Sequence, residues 1–249
     1  MDRYEPGTKF NDIYNLFQFD RNLRSVMLKY FIRAEAVLKT ACSYEFSKAH
    51  QDNLEAYLEI DSYSYSRRKM AEGLIEEFRR ILGRSSRPLK VKRDYIRHYI
   101  DNHDQIPFWV LSNYLTLGQA FRFFDFIPES IQNAVAKRVS EQYSRTHVST
   151  IRLSPRTLRL TYDHIKDFRN ICAHDERLYS SKVSPSKDVP IAQVIRELES
   201  VLTKDDYMAM VRDIMELLLE LIHKLDRRAP IVVRAMGIES FDETFLDNQ

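Results

Sequence analysis

The chain has 249 residues, of which 44% are hydrophobic and 30% charged, and its formal net charge is +2; this composition is typical of a folded soluble protein. Five glycines and eight prolines are too few for the turns of an all-β protein. Two cysteines, Cys42 and Cys172, exclude a disulfide framework or a zinc site, and we expect both to be reduced and buried. No signal-peptide-like start and no membrane-length apolar stretch occurs, so we expect a cytoplasmic protein without a membrane partner.

Helical periodicity dominates the chain, and it predicts an all-α fold in a single domain over residues 1–249. The aromatic residues of the predicted helix from Pro107 to Phe126 are interpreted as core rather than as a platform for stacking bases. The tail from about 235 to 249 is less periodic. The predicted helices, in chain order, cover residues 20–49, Ser66 to a glycine cap at Gly83, Pro107 to Phe126, a helix opening at Pro128, a helix opening at Ser154-Pro155 and running past Phe168, and Thr203 to Leu225, with a polar break at 180–190 before the last.

The helix that opens at Ser154 ends in the most informative pattern of the chain, Arg169-Asn170 followed by His174. Five positions along a helix correspond to roughly 500° of rotation, so the side chains of Arg169 and His174 lie about 140° apart on a regular helix. The helix must therefore end, bend or tighten near His174 if both side chains are to contact one phosphate. The polar and proline-containing segment after His174 favours such an ending.

These residue types suit metal-free cleavage of RNA by internal attack. A histidine titrates near neutral pH and can accept the proton of a ribose 2′-hydroxyl or protonate the departing 5′-oxygen, while an arginine can hold the phosphate through two hydrogen bonds. The amide of Asn170 can fix the phosphate or a backbone carbonyl. An alternative is structural: Arg169 pairs with a surface acid such as Asp175, and His174 occupies a helix C-terminus where a cation is favoured.

The segment Arg169-Asn170-x-x-Ala173-His174-x-x-Arg177-Leu178-Tyr179 resembles the signature of the Abi-like proteins, the AbiD/AbiF group of bacterial abortive-infection proteins in the HEPN superfamily. Two other segments extend the resemblance from about residue 10 to about 225. Lys39 departs from the pattern, where arginine is expected. The two segments are Phe19-Asp20-x-x-Leu23-Arg24 with Ala34-Glu35-x-x-Leu38-Lys39, and Pro107-Phe108-Trp109-Val110-x-x-x-Tyr114-Leu115-x-x-Gly118.

The resemblance implies a HEPN-like helical bundle with additional helices and a toxin-like, antiviral endoribonuclease that needs no metal or other cofactor. It implies a homodimer whose two motifs face each other, with Arg169, Asn170 and His174 as catalytic residues. Glu35 can orient Arg169 or His174, although a structural pair with Arg33 or Lys39 remains an alternative, and Arg177 can hold a flanking phosphate. The alternative function is a non-catalytic RNA-binding module regulated by a small RNA or a partner protein.

Basic residues concentrate between positions 67 and 97, with eleven lysines and arginines against four acidic residues. Such an excess is typical of a surface that attracts RNA phosphates, although solvated helix faces produce similar runs. We predict RNA contacts from this segment at Arg79, Arg80, Lys92 and Arg93. A weaker basic patch precedes the motif helix and comprises Lys137, Arg138, Arg145, Arg152, Arg156 and Arg159. No group of His, Cys and acidic residues has the spacing of metal ligands.

Overall fold

The computed structural model describes residues 7–86, 94–183 and 188–238. These residues are mainly helical, and the predicted all-α fold class is confirmed. The helices are α1 (Phe10–Ala49), α2 (Arg68–Ile81), α3 (Asp94–Asn102), α4 (Phe108–Ser112), α5 (Leu117–Phe126), α6 (Glu129–Thr146), α7 (Pro155–Ala173), α8 (Ile191–Leu198), α9 (Lys204–Leu225) and α10 (Ala229–Ala235), with 3₁₀ turns at Ala56–Leu58, Ile60–Ser62, Tyr65–Arg67 and Asp226–Arg228. Two antiparallel strands, β1 (Lys182–Val183) and β2 (Val189–Pro190), pair within the predicted polar break.

Three helix termini form by the local chemistry that the sequence predicts. Gly83 adopts a φ of +70° after α2 and allows the amide of Arg84 to reach back into the last turn, a conformation that glycine adopts without steric cost. The Ser154 hydroxyl accepts a hydrogen bond from the Thr157 amide at 3.0 Å and so caps α7. Thr203 caps α9 in the same way. Each cap satisfies a backbone group that the helix leaves unpaired.

Other boundaries differ from the predictions. α1 begins at Phe10 rather than at residue 20. The aromatic segment after Pro107 forms two helices, because Thr116 and Gln119 make a capping box that starts α5 afresh. α3, α8, α10 and the two short strands were not predicted. None of the helices in the part of the chain that the structure describes is long and apolar enough to cross a membrane.

The chain divides into two compact units, one formed by Met1–Arg33 with Asp163–Gln249 and the other by Ala34–Tyr162. α1 and α7 contribute residues to both units. The single-domain organisation stays a prediction, and the tail beyond residue 238 lies outside the described residues.

The unit formed by Ala34–Tyr162 has an aromatic core. Phe108 and Phe123 stack with their ring centroids 4.1 Å apart, and Phe46 meets Phe123 edge-on at 5.0 Å. Phe124 and Phe126 are also buried, whereas Trp109 on α4 is 46% exposed. The buried phenylalanines of the predicted aromatic helix therefore form core, as expected, and their rings pack at offset or edge-on angles.

The unit formed by Met1–Arg33 and Asp163–Gln249 has an aliphatic core in which α9 is prominent. Its buried side chains recur three or four residues apart, which is the spacing of one helix face. From α1, the buried Tyr30 donates a hydrogen bond from its hydroxyl to Asp213 Oδ2 at 2.9 Å. The buried residues of α9 are Met210, Ile214, Leu218, Leu221 and Leu225.

Candidate active site

α7 ends immediately before His174, at the position that the sequence predicts. The His174 amide still donates to the Asn170 carbonyl at 2.9 Å, and the next residue, Asp175, adopts a left-handed φ of 58°. The Glu176 amide then turns back to the Ile171 carbonyl at 3.1 Å. The bond from Glu176 to Ile171 is the longer of the two bonds of a Schellman C-cap, with aspartate where glycine is usual. His174 is therefore the last residue of the helical turn, and it stands at a sharp change of chain direction.

A buried ion pair on α1 binds this turn and holds it in place. Arg24 and Asp20 lie one helical turn apart with side chains only 8% and 7% exposed, and they form a salt bridge at 2.5 Å. Arg24 also donates to the Asp175 carboxylate at 2.5 Å and to the Glu176 carbonyl at 2.9 Å. One guanidinium thus binds a side chain and a backbone group of the motif turn, a use that suits its planar set of donors.

The other oxygen of Asp20 binds the continuation of the motif. Its Oδ1 accepts hydrogen bonds from the backbone amides of Leu178 and Tyr179 at 2.9 and 2.8 Å. A buried carboxylate that accepts hydrogen bonds at both oxygens is strongly held in place. We call Asp20 and Arg24 together the α1 clamp. It holds residues 175–179 against α1 through side-chain and backbone bonds.

The three predicted catalytic residues lie at the end of α7, and their side chains are available to bind a substrate. Asn170 and His174 are exposed and Arg169 is half-buried. Nε of Arg169 is shielded from solvent and, within the residues described, has no hydrogen-bond partner. No hydrogen bond or ion pair with a described residue engages the other polar side-chain atoms of these three residues, and none joins the three to one another. Asp175 pairs with Arg24 and not with Arg169, so the pair expected in the structural alternative is not formed. His174 does lie at a helix C-terminus, as that alternative also expects.

Cys172 lies within the motif, in surroundings that disfavour a nucleophilic role. Its side chain is buried, and burial raises the pKa of its thiol to about 12, a shift that the nearby Arg24 only partly opposes. The protonated thiol is a weak nucleophile at neutral pH. Burial likewise raises the pKa of the Cys42 thiol. Both cysteines are free and buried, as the sequence predicts.

The two supporting residues have different surroundings. Arg177 is exposed on the motif turn, and its side chain makes no hydrogen bond or ion pair with any residue in the described ranges. Glu35 forms a salt bridge with Lys39 at 2.6 Å, and Lys39 also donates to the Leu115 carbonyl. These contacts match the structural pair expected as the alternative for Glu35, while its orienting role stays a prediction.

The predicted RNA-binding residues are only partly described. Arg79 and Arg80 are exposed on α2, with Arg79 Nη2 at 3.4 Å from the Leu58 carbonyl and Arg80 Nε at 3.8 Å from Glu76. Contacts this long at the surface contribute little to stability and leave the charges accessible. Lys92 and Arg93 lie outside the described residues.

The α1 clamp is the feature that sequence reasoning missed, although its signal was present. Asp20 stands three residues before the buried Leu23, and Arg24 three residues before the buried Met27, so both charges fall on the apolar face of α1. A charged residue on a core-facing stripe is unusual unless it is paired. Outside this cluster, His164 is buried and bonds to Glu197 at 2.8 Å, in keeping with the structural role expected for it.

No cluster of metal-ligating side chains occurs among the residues for which the structure gives positions. A family model described as Abi-like protein matches residues 1–180. The matched range includes both the α1 clamp and the motif turn, and it stops one residue after Tyr179. No curated protein and no solved structure matches the chain.

Proposed function

This chain belongs to the Abi-like protein family, and from that premise we propose that it is a metal-independent endoribonuclease of the HEPN type that acts as a toxin-like effector of abortive infection. Family membership supports the defence role. The proposed chemistry depends on Arg169, Asn170 and His174 at the end of α7.

The observation that carries the proposal is the combination of a fixed backbone and free side chains at the motif turn. The α1 clamp holds residues 175–179 through four hydrogen bonds of two buried side chains, which also bond to each other. The imidazole of His174, directly before this segment, remains exposed. Catalytic side chains that are exposed to substrate, on a backbone that is held rigidly, lose little entropy when they bind the substrate.

In the proposed reaction, a neutral imidazole of His174 accepts the proton of a ribose 2′-hydroxyl. The 2′-oxygen forms a bond to phosphorus as the bond from phosphorus to the 5′-oxygen breaks, and a protonated imidazole donates a proton to that departing oxygen. The products are a 2′,3′-cyclic phosphate and a 5′-hydroxyl. Arg169 stabilises the extra negative charge on the phosphate in the transition state, and the Asn170 amide orients it.

We further propose that the active enzyme is a homodimer. The mechanism uses one base and one acid, and each chain supplies a single motif histidine. Five positions along a regular helix also separate the side chains of Arg169 and His174 by about 140°, which disfavours joint contact with one phosphate from a single chain. A two-fold axis that places two motif turns face to face provides two histidines and two arginines in one cleft. In this proposal Arg177 holds a flanking phosphate. The basic residues that attract RNA towards the cleft are Arg79, Arg80, Lys92 and Arg93.

A non-catalytic RNA-binding module, controlled by a small RNA or a partner protein, is the competing function. Histidine at position 174 favours the enzyme. A site that only binds phosphate is served better at neutral pH by lysine or arginine, which are always charged there.

Substitution of His174 by lysine separates the two functions. His174→Lys places a cation next to the phosphate but removes the imidazole that accepts and donates protons in the proposed reaction, so we expect RNA affinity to be retained and cleavage in EDTA to be lost. The measurement is RNA binding by filter retention alongside cleavage of labelled RNA. Wild-type protein that binds RNA but never cleaves it, even at high concentration, would favour the binding module.

A further inference from the structure

A polar pocket of about 560 Å³ lies within the unit formed by Ala34–Tyr162. Its walls come from the first turn of α6, the start of α7 and the 3₁₀ turn at Tyr65–Arg67. The volume is in the range of sites that bind small metabolites and nucleotides. The pocket contains none of the residues assigned above to RNA cleavage.

Three arginines provide the positive charge of this pocket. Arg67 and Arg159 both approach the Asp125 carboxylate, each at 3.4 Å, which is a loose contact that leaves most of their donors unused. Arg156 is exposed and forms no hydrogen bond or ion pair with any residue that the structure describes. With Asp125 and Glu129 as the acidic residues of the lining, the pocket keeps an excess of one positive charge. Arginines with spare donors favour a phosphate group.

Two amides provide acceptors for a different part of a ligand. The Gln132 side-chain nitrogen donates to the carbonyls of Asp125 and Ile127 at 3.2 and 2.9 Å. The Asn133 nitrogen donates to the Glu129 carbonyl at 2.9 Å. The side-chain oxygen of each amide has no hydrogen-bond partner among the described residues. Such oxygens accept hydrogen bonds from hydroxyl groups.

The side chains that line the pocket indicate which class of ligand it can bind. It contains phosphate-binding arginines and hydroxyl-binding amides, but no aromatic side chain on which a base could stack. We propose that this pocket binds a ribose phosphate, with the phosphate on Arg156 and Arg159 and the sugar hydroxyls on Gln132 and Asn133. The ribose phosphate is either a free metabolite or part of an RNA strand. α7 begins at this pocket and carries the motif at its other end, so the ligand would bind the same helix that presents His174.

Calorimetric titration of the full chain tests the assignment independently of catalysis. The ligands are ribose 5-phosphate, ribose, and a short 2′-O-methyl oligonucleotide whose 3′-terminal nucleotide alone keeps an unmodified ribose, so that it offers free sugar hydroxyls but cannot be cleaved by internal attack. The variants are Arg156→Gln and Arg159→Gln, with Lys137→Gln as the matched control. Lys137 is on α6, its side chain is 79% exposed, and it lies outside the pocket. Circular dichroism checks that each variant is folded.

We expect ribose 5-phosphate to bind more tightly than ribose, and each arginine substitution to weaken its binding roughly tenfold or more, the loss typical of a charge-assisted hydrogen bond. Lys137→Gln should leave the affinity unchanged. If only the oligonucleotide shows this dependence, the ribose phosphate belongs to an RNA strand. If neither ligand binds less tightly to the arginine variants than to Lys137→Gln, the proposal is wrong. Loss of RNA cleavage by a His174 variant has no bearing on this result.

Discussion

Asp20 and Arg24 determine the position of the motif turn although neither contacts the proposed substrate. Removal of one partner from a buried ion pair leaves the other charge without compensation, which is more costly than the loss of an exposed pair. Arg24 has a second carboxylate partner in Asp175, but the side chain of Asp175 is 81% exposed. The two carboxylates should therefore differ widely in their contribution to stability.

We predict that Asp20→Asn lowers the free energy of unfolding by roughly 3–5 kcal/mol, because it replaces one acceptor oxygen with a donor and leaves Arg24 poorly paired. Asp175→Asn should cost less than about 1 kcal/mol, since the pair is largely exposed and asparagine tolerates a left-handed backbone. Urea denaturation of both variants measures the difference. Equal losses would show that the clamp contributes little to stability.

His164 makes the stability of the fold depend on pH. The hydrogen bond to Glu197 raises the pKa of its imidazole, burial opposes this, and the charges of Glu197, Asp163 and Asp167 raise it further. Because the pKa in the folded state is above the unfolded value, the stabilisation is fully present below the unfolded pKa and is lost as the pH rises through the folded pKa.

His164→Gln should therefore destabilise the protein by about 1–3 kcal/mol near pH 5.5, the range for a hydrogen bond between charged groups. The loss should be smaller near pH 8.5, because the stabilisation falls as the pH rises towards and through the raised pKa of the imidazole. Urea denaturation at the two pH values provides the comparison. A loss that is the same at both would mean that the bond to Glu197 does not depend on the charge of the imidazole.

At the scale of elements, the capping box of α5 decides where one aromatic segment becomes two helices. The Thr116 hydroxyl accepts from the Gln119 amide at 3.2 Å, and the Gln119 side chain accepts from the Thr116 amide at 2.8 Å. These bonds satisfy two backbone donors, one at each end of the box, in the middle of an otherwise continuous apolar pattern. α5 then presents Phe123 to the aromatic core.

Thr116→Ala is predicted to lower the free energy of unfolding by about 1 kcal/mol through the loss of this cap. Thr40→Ala is the matched control, because Thr40 is exposed in the middle of α1 and caps no helix. Alanine favours helix over threonine there, so the control should be neutral or slightly stabilising. Thermal or urea unfolding of the two variants would contradict the account if both changed stability equally.

Some helix ends are set by a single residue, and these ends are predictable from the sequence. Ser154, Thr203 and Gly83 are single-residue signals with a direct backbone consequence, and each helix end formed as predicted. The break at Thr116 was missed, although Thr-x-x-Gln is a capping box, because the apolar periodicity continues through it. The early start of α1 was missed because its first turns carry exposed aromatic residues such as Phe10 and Phe17 rather than core residues.

Long-range pairing explains what the sequence could not predict at the site. The end of α7 near His174 was predictable from the polar segment that follows it. The partners of Arg24 in the motif turn are more than 150 positions away in the chain, and no local pattern specifies such a contact. The division into two units is likewise a property of distant contacts.

At the scale of the whole molecule, the proposed homodimer makes activity depend on both subunits. If one cleft needs a motif histidine from each chain, a dimer of one wild-type and one His174→Ala subunit should be inactive. Subunits mixed in equal amounts and allowed to reassociate would then retain about a quarter of the wild-type activity. If each chain acted independently, about half would remain. Cleavage rates at constant total protein distinguish the two results.

Product analysis tests the central claim most directly. End-labelled RNA is incubated in EDTA with the wild-type protein, with His174→Ala, and with His223→Ala, which removes an exposed histidine from the last turn of α9. The account predicts that the wild type and His223→Ala release fragments with 2′,3′-cyclic phosphate and 5′-hydroxyl ends, and that His174→Ala releases none while it keeps its helical content. Cleavage that persists in His174→Ala, or products with 5′-phosphate ends, would contradict the proposed mechanism.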